Sequence, residues 1–403
     1  MINWLREVPP TAGLTLCWQD FLPKGPSLEQ KLAQFIGVPE TQIECSGTAA
    51  LVVALLTLKN MSARRSVVIS AYTCPWVAIA VAHCALKPVL CDTQKDRFEL
   101  CLSALSNVCN EDTLAIIPTH LGGRVTEIAH VITIAKHIGA YVIEDAAQAL
   151  GAELGGKSVG TFGDIGFYSL GVGKGLTIFA GGVLVARDTA MRQALRQTST
   201  QMMPFSYATE IRRIAELIGY YLLYRPFWLK LAFGFPLRRH LKKGRLIEAV
   251  GDNCSLNFPL HRVSGWRKAV GANALARLPA YLDSTRNQAH HRKSLLGNIA
   301  GIQVVQDNSE NAGVWPFLLV LMPTEQARDH ALNALWHQGL GVGRLFIHAL
   351  GDYDYLAKYF SNKSAPNARD FAARALEITN SPWMRDVDFM KIYHVLLEQS
   401  KND

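Results

Sequence analysis

The sequence lacks the cysteine patterns that mark metal sites and redox pairs. None of its eight cysteines forms a Cys-x-x-Cys pair, and no group of His, Cys, Asp and Glu has metal-ligand spacing. We therefore predict no bound metal. The first residues also contain no basic stretch followed by an apolar core, as a secretory signal would. Reduced thiols and a cytoplasmic location are the expectations that follow.

Long hydrophobic runs are absent as well. The most apolar stretch, 214–224, contains Glu216 and is followed by Arg225 and Pro226, so it is far shorter than the ~20 apolar residues that cross a bilayer. The surrounding segment, 211–245, is basic and rich in aromatic residues. It is predicted either to contact the inner surface of a membrane or to form a helical hairpin that packs on the protein or across a dimer.

Positive charge is in excess, but only in this segment. The chain has 41 Lys and Arg against 33 Asp and Glu, a formal net charge of +8. Nine basic residues and one acidic residue lie between 212 and 245, which accounts for the whole excess. The rest of the chain is formally neutral. The sequence therefore does not predict a nucleic-acid-binding protein. It predicts one local basic patch that meets an anionic partner.

Short apolar runs alternate with helix-like segments over the first half of the 403 residues. The runs cover 66–70, 87–92, 114–118, 141–145, 165–169 and 182–186, with helices predicted between them, for example over 49–59 and 127–138. This alternation predicts an α/β fold with a mostly parallel sheet covered on both faces. In such sheets ligands bind beyond the carboxyl ends of the strands.

Beyond about residue 255 the pattern changes. It predicts a long helix over 270–294, a strand over 315–322, a helix capped by Thr324, and helices over 368–376 and 386–397. We therefore predict two domains. Residues 1–250 form an N-terminal segment and a large domain, with the basic aromatic segment at about 205–250 as an insertion. Residues 251–403 form a smaller α/β domain.

Polar residues at strand ends and helix starts are candidates for ligand contacts. The turn at 45–51 opens a helix, whose first N–H groups and Thr48 hydroxyl suit an anion. Asp145 ends a strand and suits a cationic ring nitrogen, with Gln148 three residues further on. The loop at 70–76 offers Tyr72 and Trp76 as faces for a planar ring.

Lys174 lies in a glycine-rich loop that follows the strand ending at Ser169. A lysine that is desolvated in such a loop has a lowered pKa and forms Schiff bases readily. The loop is not a phosphate-binding Walker A loop, because Tyr168 stands where that motif needs Gly and Gly175 where it needs Ser or Thr.

Each of these clusters alone has an ordinary structural explanation, such as a helix cap or a core aromatic. Together they supply an anion cradle, a carboxylate for a ring nitrogen, a hydroxyl for a phosphate and a Schiff-base amine. This combination matches the requirements of pyridoxal 5′-phosphate (PLP).

From about Leu32 to the C-terminus the chain resembles the DegT/StrS-type sugar-nucleotide aminotransferases, which are fold-type-I, PLP-dependent enzymes. The motifs that carry the resemblance are 46–51, 143–152 and 160–182. The resemblance implies a seven-stranded, mostly parallel sheet in the large domain and a homodimer. It also implies L-glutamate as amino donor and a nucleotide-linked or otherwise anionic, sugar-like keto acceptor, in sugar-nucleotide, polysaccharide or natural-product biosynthesis.

The resemblance also assigns site residues. Lys174 would form the Schiff base and move the proton, and Asp145 would pair with the ring nitrogen, so these two are the predicted catalytic residues. Further cofactor contacts are predicted for Gln148, Ser169, Thr48 and the backbone of Gly47 and Ala49.

Several positions depart from the family pattern or extend it. Cys74 stands where the family normally has the aromatic ring that covers the cofactor, so either Cys74 or Trp76 is predicted to cover it. Arg262 matches an arginine that the neighbouring subunit contributes in the family, without the accompanying asparagine. His120 follows its strand and is either a substrate contact or a structural histidine.

Two functions remain open on the sequence. The first is a PLP-dependent aminotransferase. The alternative is a non-catalytic PLP-binding sensor or scaffold that docks to a membrane or a partner through the 211–245 segment.

Overall fold

A seven-stranded sheet organises the part of the chain that the computed structural model describes, residues 6–22, 25–307 and 311–400. Its order is β1-β9-β8-β5-β4-β2-β3, and β3, β2, β4, β5 and β8 run parallel to one another. Strand β9 pairs antiparallel with β8, and β1 antiparallel with β9. The strands are β1 (Gln42–Glu44), β2 (Ser66–Ser70), β3 (Lys87–Cys91), β4 (Thr113–Ile117), β5 (Tyr141–Asp145), β6 (Glu153–Leu154), β7 (Lys157–Ser158), β8 (Ile165–Ser169), β9 (Gly182–Ala186), β10 (Gln303–Val304), β11 (Asn311–Ala312), β12 (Phe317–Leu321), β13 (Val342–Gly343) and β14 (Ala375–Thr379).

Helices cover both faces of this sheet, which confirms the predicted α/β class. In β2, Val67 and Ile69 face one apolar cluster with α2 and α3, whereas Val68 faces a second cluster with α4 and α5. The helices are α1 (Leu28–Ile36), α2 (Gly47–Met61), α3 (Pro75–His83), α4 (Leu102–Val108), α5 (Ile128–Ile138), α6 (Thr189–Met202), α7 (Tyr207–Leu223), α8 (Pro226–Leu229), α9 (Phe235–Lys242), α10 (Leu246–Val250), α11 (Gly265–Ala274), α12 (Leu278–Leu296), α13 (Glu325–Leu335), α14 (Pro366–Arg374) and α15 (Asp386–Gln399).

A second sheet, of order β10-β12-β14-β13, lies in the later part of the chain. Its strands pair antiparallel, and α13 and α15 contribute to its apolar cluster. Thr324 caps α13 as predicted, since its side chain accepts a hydrogen bond from the Ala327 N–H at 3.1 Å. The division into domains at residue 250 stays a prediction.

Two predicted helices have different bounds in the structure. The helix predicted over 270–294 is α11, a 3₁₀ turn and then α12, which has Pro279 in its first turn, where a missing N–H is tolerated. The helix predicted over 368–376 ends at Arg374, and the following residues form β14. Strand β14 is buried at all five positions and pairs with β12, so tertiary pairing overrides the local helical pattern.

The predicted insertion is helical. It consists of α7, α8, a π turn over Lys230–Gly234, α9 and α10. Leu217 and Tyr220 pack α7 against the main core. Glu210 of α7 also forms an ion pair with the fully buried Arg267 (Nη2–Oε1 2.6 Å). Among the described residues, no helix has the length and apolar character needed to span a bilayer.

Candidate active site

A cavity of about 220 Å³ opens at the carboxyl ends of β2, β4, β5 and β8, beside the first turn of α2. This is the edge at which ligands bind in open parallel sheets. The structure brings together here all but three of the residues predicted to touch cofactor or substrate, the exceptions being Ala49, Tyr72 and Arg262. Those lining the cavity are Gly47, Thr48, Cys74, Trp76, His120, Asp145, Gln148, Ser169 and Lys174.

The last two residues of β5 turn their carboxylates to opposite sides of the strand, as the two-residue repeat of a strand dictates. Asp145 faces the cavity, and its Oδ1 accepts a hydrogen bond from the Ala147 N–H at 3.1 Å. Burial raises the pKa of Asp145 to about 6, while the Ala147 hydrogen bond and the nearby Lys174 charge oppose that rise. The site therefore holds a carboxylate that is poised to meet a cationic group.

Glu144 faces away from the cavity and fixes the loops around it. Its Oε1 accepts hydrogen bonds from the Phe162 and Gly163 N–H groups, both at 2.6 Å. Its Oε2 accepts one from the Gly160 N–H at 2.8 Å and lies 3.0 Å from His120 Nε2. A fully buried carboxylate with four donors ties the end of β5 to the segment that leads into β8.

His120 is fully buried, and both of its ring nitrogens are engaged within the protein. Nδ1 accepts a hydrogen bond from the Thr126 N–H at 3.1 Å, so Nε2 carries the hydrogen and donates it to Glu144. Only the ring of His120 is then offered to the cavity. A substrate contact by His120 stays a prediction, but this geometry restricts it to the ring face.

The loop that carries Lys174 is held by the N-terminal segment. Gly173 has a φ of +76°, and a Cβ there would lie 2.1 Å from Thr11 Oγ1, so only glycine fits this close approach. The Leu14 N–H donates to the Gly175 carbonyl at 3.0 Å from the other side. Burial lowers the pKa of the Lys174 amine, and Asp145 and Glu377 partly oppose this. A lowered pKa favours the neutral form of the amine, which is the nucleophilic form.

The first turn of α2 and the end of β8 form a small cradle. A Cβ on Gly47 would lie 3.1 Å from Ser169 Cβ and 3.4 Å from Ser169 Oγ, so the missing side chain leaves room for a ligand. Ser46 caps the helix, because its Oγ accepts the Ala49 N–H at 3.0 Å. Ala49 does not line the cavity, and its N–H already has this partner, so the expected contact through Ala49 is not offered.

The predicted ring-covering residues take different places. Trp76 and Cys74 both line the cavity, and burial raises the pKa of the Cys74 thiol to about 12, which keeps it neutral. Tyr72 does not reach the cavity, because its ring packs against Phe346 (centroids 5.5 Å apart) and Phe371 (4.9 Å). The interpretation of Tyr72 as a stacking face is therefore wrong, and Tyr72 is a core aromatic.

Arg262 also lies outside this cavity. It is exposed, and its Nε donates to the Met203 carbonyl at 2.9 Å. Gln148 lines the cavity while its Oε1 accepts the Gly122 N–H at 2.6 Å, which fixes the direction of its amide group.

Sequence reasoning missed several residues of the site. Thr73 and Thr119 line the cavity with their Oγ1 atoms 3.1 Å apart, and each directly follows a residue or strand that the sequence singled out. Phe346 also lines it, but arrives from a distant part of the chain. Glu377 is buried in the middle of β14, its pKa is raised to about 8, and the Lys174 charge opposes that rise. No local pattern marks Phe346 or Glu377.

These residues fit the groups of PLP. The Gly47–Ser169 cradle suits a phosphate, since helix N-termini and hydroxyls bind anions. The buried Asp145 carboxylate suits a pyridinium nitrogen, and the Lys174 amine faces the same cavity. Trp76 and Cys74 give apolar surface for a ring. The donor set thus matches each end of the cofactor with a group of complementary chemistry.

The fold defines the class of protein first. A putative sugar aminotransferase of Streptococcus pneumoniae, Spr1654, solved in a PLP form, superposes with a TM-score of 0.76. The superposition covers 98% of this chain and 99% of that one, at 16% sequence identity. The same protein in a PMP form also superposes with a TM-score of 0.76, over 98% of this chain and all of that one, at 17% identity. The fold is therefore that of PLP-dependent aminotransferases.

Sequence comparison agrees. The chain is 24% identical over 374 residues to dTDP-4-amino-4,6-dideoxy-D-glucose transaminase of Shigella dysenteriae. This alignment covers 90% of this chain and 88% of that protein. It is 33% identical over 174 residues to a UDP-N-acetyl-3-dehydro-alpha-D-glucosamine 3-aminotransferase of Acidithiobacillus ferrooxidans. This second alignment covers 43% of this chain and 47% of that protein. The chain thus spans about half the length of several curated relatives that it matches.

The sequence model of the DegT/DnrJ/EryC1/StrS aminotransferase family matches residues 18–222 and 238–397. The chain belongs to this family. The motif-based resemblance is thereby confirmed, together with the class of enzyme, an aminotransferase, and its cofactor, PLP.

Asp145→Asn is expected to stabilise the cofactor-free protein at pH 8. The pKa of Asp145 is raised from an ordinary 3.8 to about 6, so the native state holds an extra proton between about pH 4 and 6, and ionisation costs stability above that range. The neutral amide removes this cost, worth up to about 3 kcal/mol, and the gain disappears near pH 4. Urea unfolding at both pH values measures it.

The exposed Asp354 provides the control, because Asp354→Asn should leave stability nearly unchanged at either pH. A gain for Asp145→Asn that is equal at pH 4 and pH 8 would show that this carboxylate is not destabilised by burial.

Gly47→Ala is expected to weaken PLP binding at least tenfold, or about 1.4 kcal/mol, because the new Cβ fills the cradle against Ser169. Alanine favours the helix, so folding should not suffer from the change in propensity. Gly219→Ala in α7 is the matched control, since its Cβ meets nothing within 4 Å. Absorption titration gives both dissociation constants, and equal values for the two variants would contradict the cradle.

Proposed function

We propose that this protein transfers an amino group from L-glutamate to the keto group of a nucleotide-linked, or otherwise anionic, sugar-like acceptor. The observation that carries the proposal is that Lys174 and Asp145 reach one cavity from neighbouring strand ends, with the Gly47–Ser169 cradle beside them. The relatives support the acceptor class, because two of them are named for amino transfer on dTDP- and UDP-linked sugars.

Each residue has a separate task in this proposal. When bound, PLP supplies an aldehyde to which amines attach and a ring that accepts an electron pair. The Lys174 amine would hold the cofactor through its aldehyde end, and the same amine would accept the proton from the donor's α-carbon and give it back within the site. The Asp145 carboxylate keeps the ring nitrogen protonated. Gly47, Thr48 and Ser169 hold the phosphate.

The proposal extends to assembly and location. Arg262 is exposed and lies outside the cavity of its own chain, which is the arrangement expected if it serves a partner subunit in a homodimer. A cytoplasmic location, and contact with the inner membrane surface through the insertion, are also proposed. The membrane contact is argued in the next section.

Single-turnover formation of 2-oxoglutarate tests the proposal. The PLP-loaded protein is mixed with L-glutamate, and about one equivalent of 2-oxoglutarate per site is expected. Lys174→Ala should lower the rate by about 10²- to 10⁴-fold, because it removes the positioned acid and base. Lys157→Ala, at an exposed residue of the short strand β7, is the control.

Two outcomes would contradict the proposal. A Lys174→Ala protein that keeps the wild-type rate would remove the assigned role of this amine. A wild-type protein that binds PLP but forms no 2-oxoglutarate would favour the sensor or scaffold.

A further inference from the structure

Exposed apolar side chains are concentrated in the helical insertion. Among the described residues, eleven of the seventeen exposed large hydrophobic side chains lie between 205 and 246. Scattered exposed apolar residues are ordinary on a protein surface, but a concentration of this kind marks an interaction site.

These side chains form stripes along the helices. In α7, Tyr207, Ile211, Ile218 and Leu222 are spaced by four, seven and four residues and are 39–77% exposed. At about 100° per residue they fall within a sector of roughly 60°. The stripe is therefore one continuous edge of the helix.

The opposite side of α7 is attached to the protein. Leu217, Tyr220 and Tyr224 are buried, and the Tyr224 ring lies 5.5 Å from that of Trp383. Lys230 and Arg238 turn inward to the buried Glu7, with Arg238 Nη2 at 2.6 Å from Glu7 Oε2. One face of the insertion therefore packs against the protein, and the apolar side chains on its other face are exposed to solvent.

A second stripe runs from α8 through the π turn into α9. Phe227, Trp228, Leu231 and Phe235 are 44–65% exposed. This stripe lies in a part of the chain, 223–237, that the family's sequence model does not match. The common chemistry of the family therefore does not explain it.

Basic side chains follow directly after the second stripe. Arg239 and Lys242 lie four and seven residues beyond Phe235, on the same helical edge, and Lys243 and Arg245 follow. All four are exposed, and none of them makes an ion pair with a described residue. The one acidic residue of the 211–245 segment, Glu216 in α7, is already paired with Arg212 and Arg213.

We propose that this face, the apolar stripes of α7–α9 together with Arg239, Lys242, Lys243 and Arg245, docks on an anionic lipid surface. Apolar side chains enter the interfacial region of a bilayer, and bordering cations bind the acidic headgroups. A second copy of the chain fits less well, because a symmetric pairing would set this uncompensated positive patch against itself. The docking does not depend on the proposed reaction, because vesicle binding requires no turnover.

Co-sedimentation of the PLP-loaded protein with vesicles tests the proposal. Vesicles of equal parts phosphatidylcholine and phosphatidylglycerol should bind the protein, and vesicles of phosphatidylcholine alone should bind it much less. Binding to the anionic vesicles should fall steeply between low and high salt, since exposed charges are screened over ~10 Å at 0.1 M. Failure to bind anionic vesicles at low salt would overturn the proposal.

Paired variants locate the docking face. Lys242→Gln with Lys243→Gln should weaken binding by about 25-fold, at roughly fivefold per cation lost. The control is Lys87→Gln with Lys157→Gln, two exposed lysines elsewhere. Leu231→Ser with Phe235→Ser should also lose binding, whereas Trp18→Ser with Val387→Ser, similarly exposed, should keep it. Equal binding by all variants would overturn the proposal.

Two further readouts remain decisive if a variant folds poorly. Brominated phosphatidylglycerol should quench part of the wild-type tryptophan fluorescence, and Trp228→Phe should remove most of that quenching. Quenching that is unchanged in Trp228→Phe would contradict insertion of this stripe. Light scattering of Leu231→Ser with Phe235→Ser should give the wild-type mass, and a smaller mass would assign the face to a second copy instead.

Discussion

The pair of carboxylates at the end of β5 is the constraint on which the candidate site depends. Glu144 accepts hydrogen bonds from three backbone N–H groups and His120, and this fixes the segment leading into β8 and the loop after β4. With the strand end held in this way, the alternation of side chains directs Asp145 into the cavity. The neighbouring β8 then brings Ser169 to the same edge, and the following loop brings Lys174.

The site holds charge where burial is unfavourable. Desolvation raises the pKa of Asp145 and lowers that of Lys174, while each charge partly stabilises the other. Such groups persist because the surrounding structure fixes them, and they are common at functional sites. The N-terminal segment contributes directly, since Thr11 packs closely against Gly173 and the Leu14 N–H donates a hydrogen bond to the Gly175 carbonyl. Burial of Asp145 and Lys174 therefore lowers the stability of the fold, while it gives these two residues the properties that the chemistry needs.

Most of the large sheet and the side chains that line the cavity at its edge could be predicted from the sequence. Asp145 and Ser169 end apolar strands, and Lys174 lies in the loop after the second of them, so local pattern finds them. Residues whose role comes from tertiary contact could not be found in this way. Phe346 reaches the cavity from far along the chain, and Glu377 lies in a strand whose first two residues were predicted to be helical. The Ala49 N–H was expected to face a ligand, but the Ser46 cap takes it.

Covalent trapping of the cofactor tests the central claim, that the buried Lys174 amine is the group that holds PLP. The loaded protein is reduced with borohydride, digested and analysed by mass spectrometry. The account predicts that the cofactor's mass is added to Lys174, and that Lys174→Ala shows no such addition at any lysine. Trapping at another lysine, or a loaded wild-type protein with no covalent product, would contradict it.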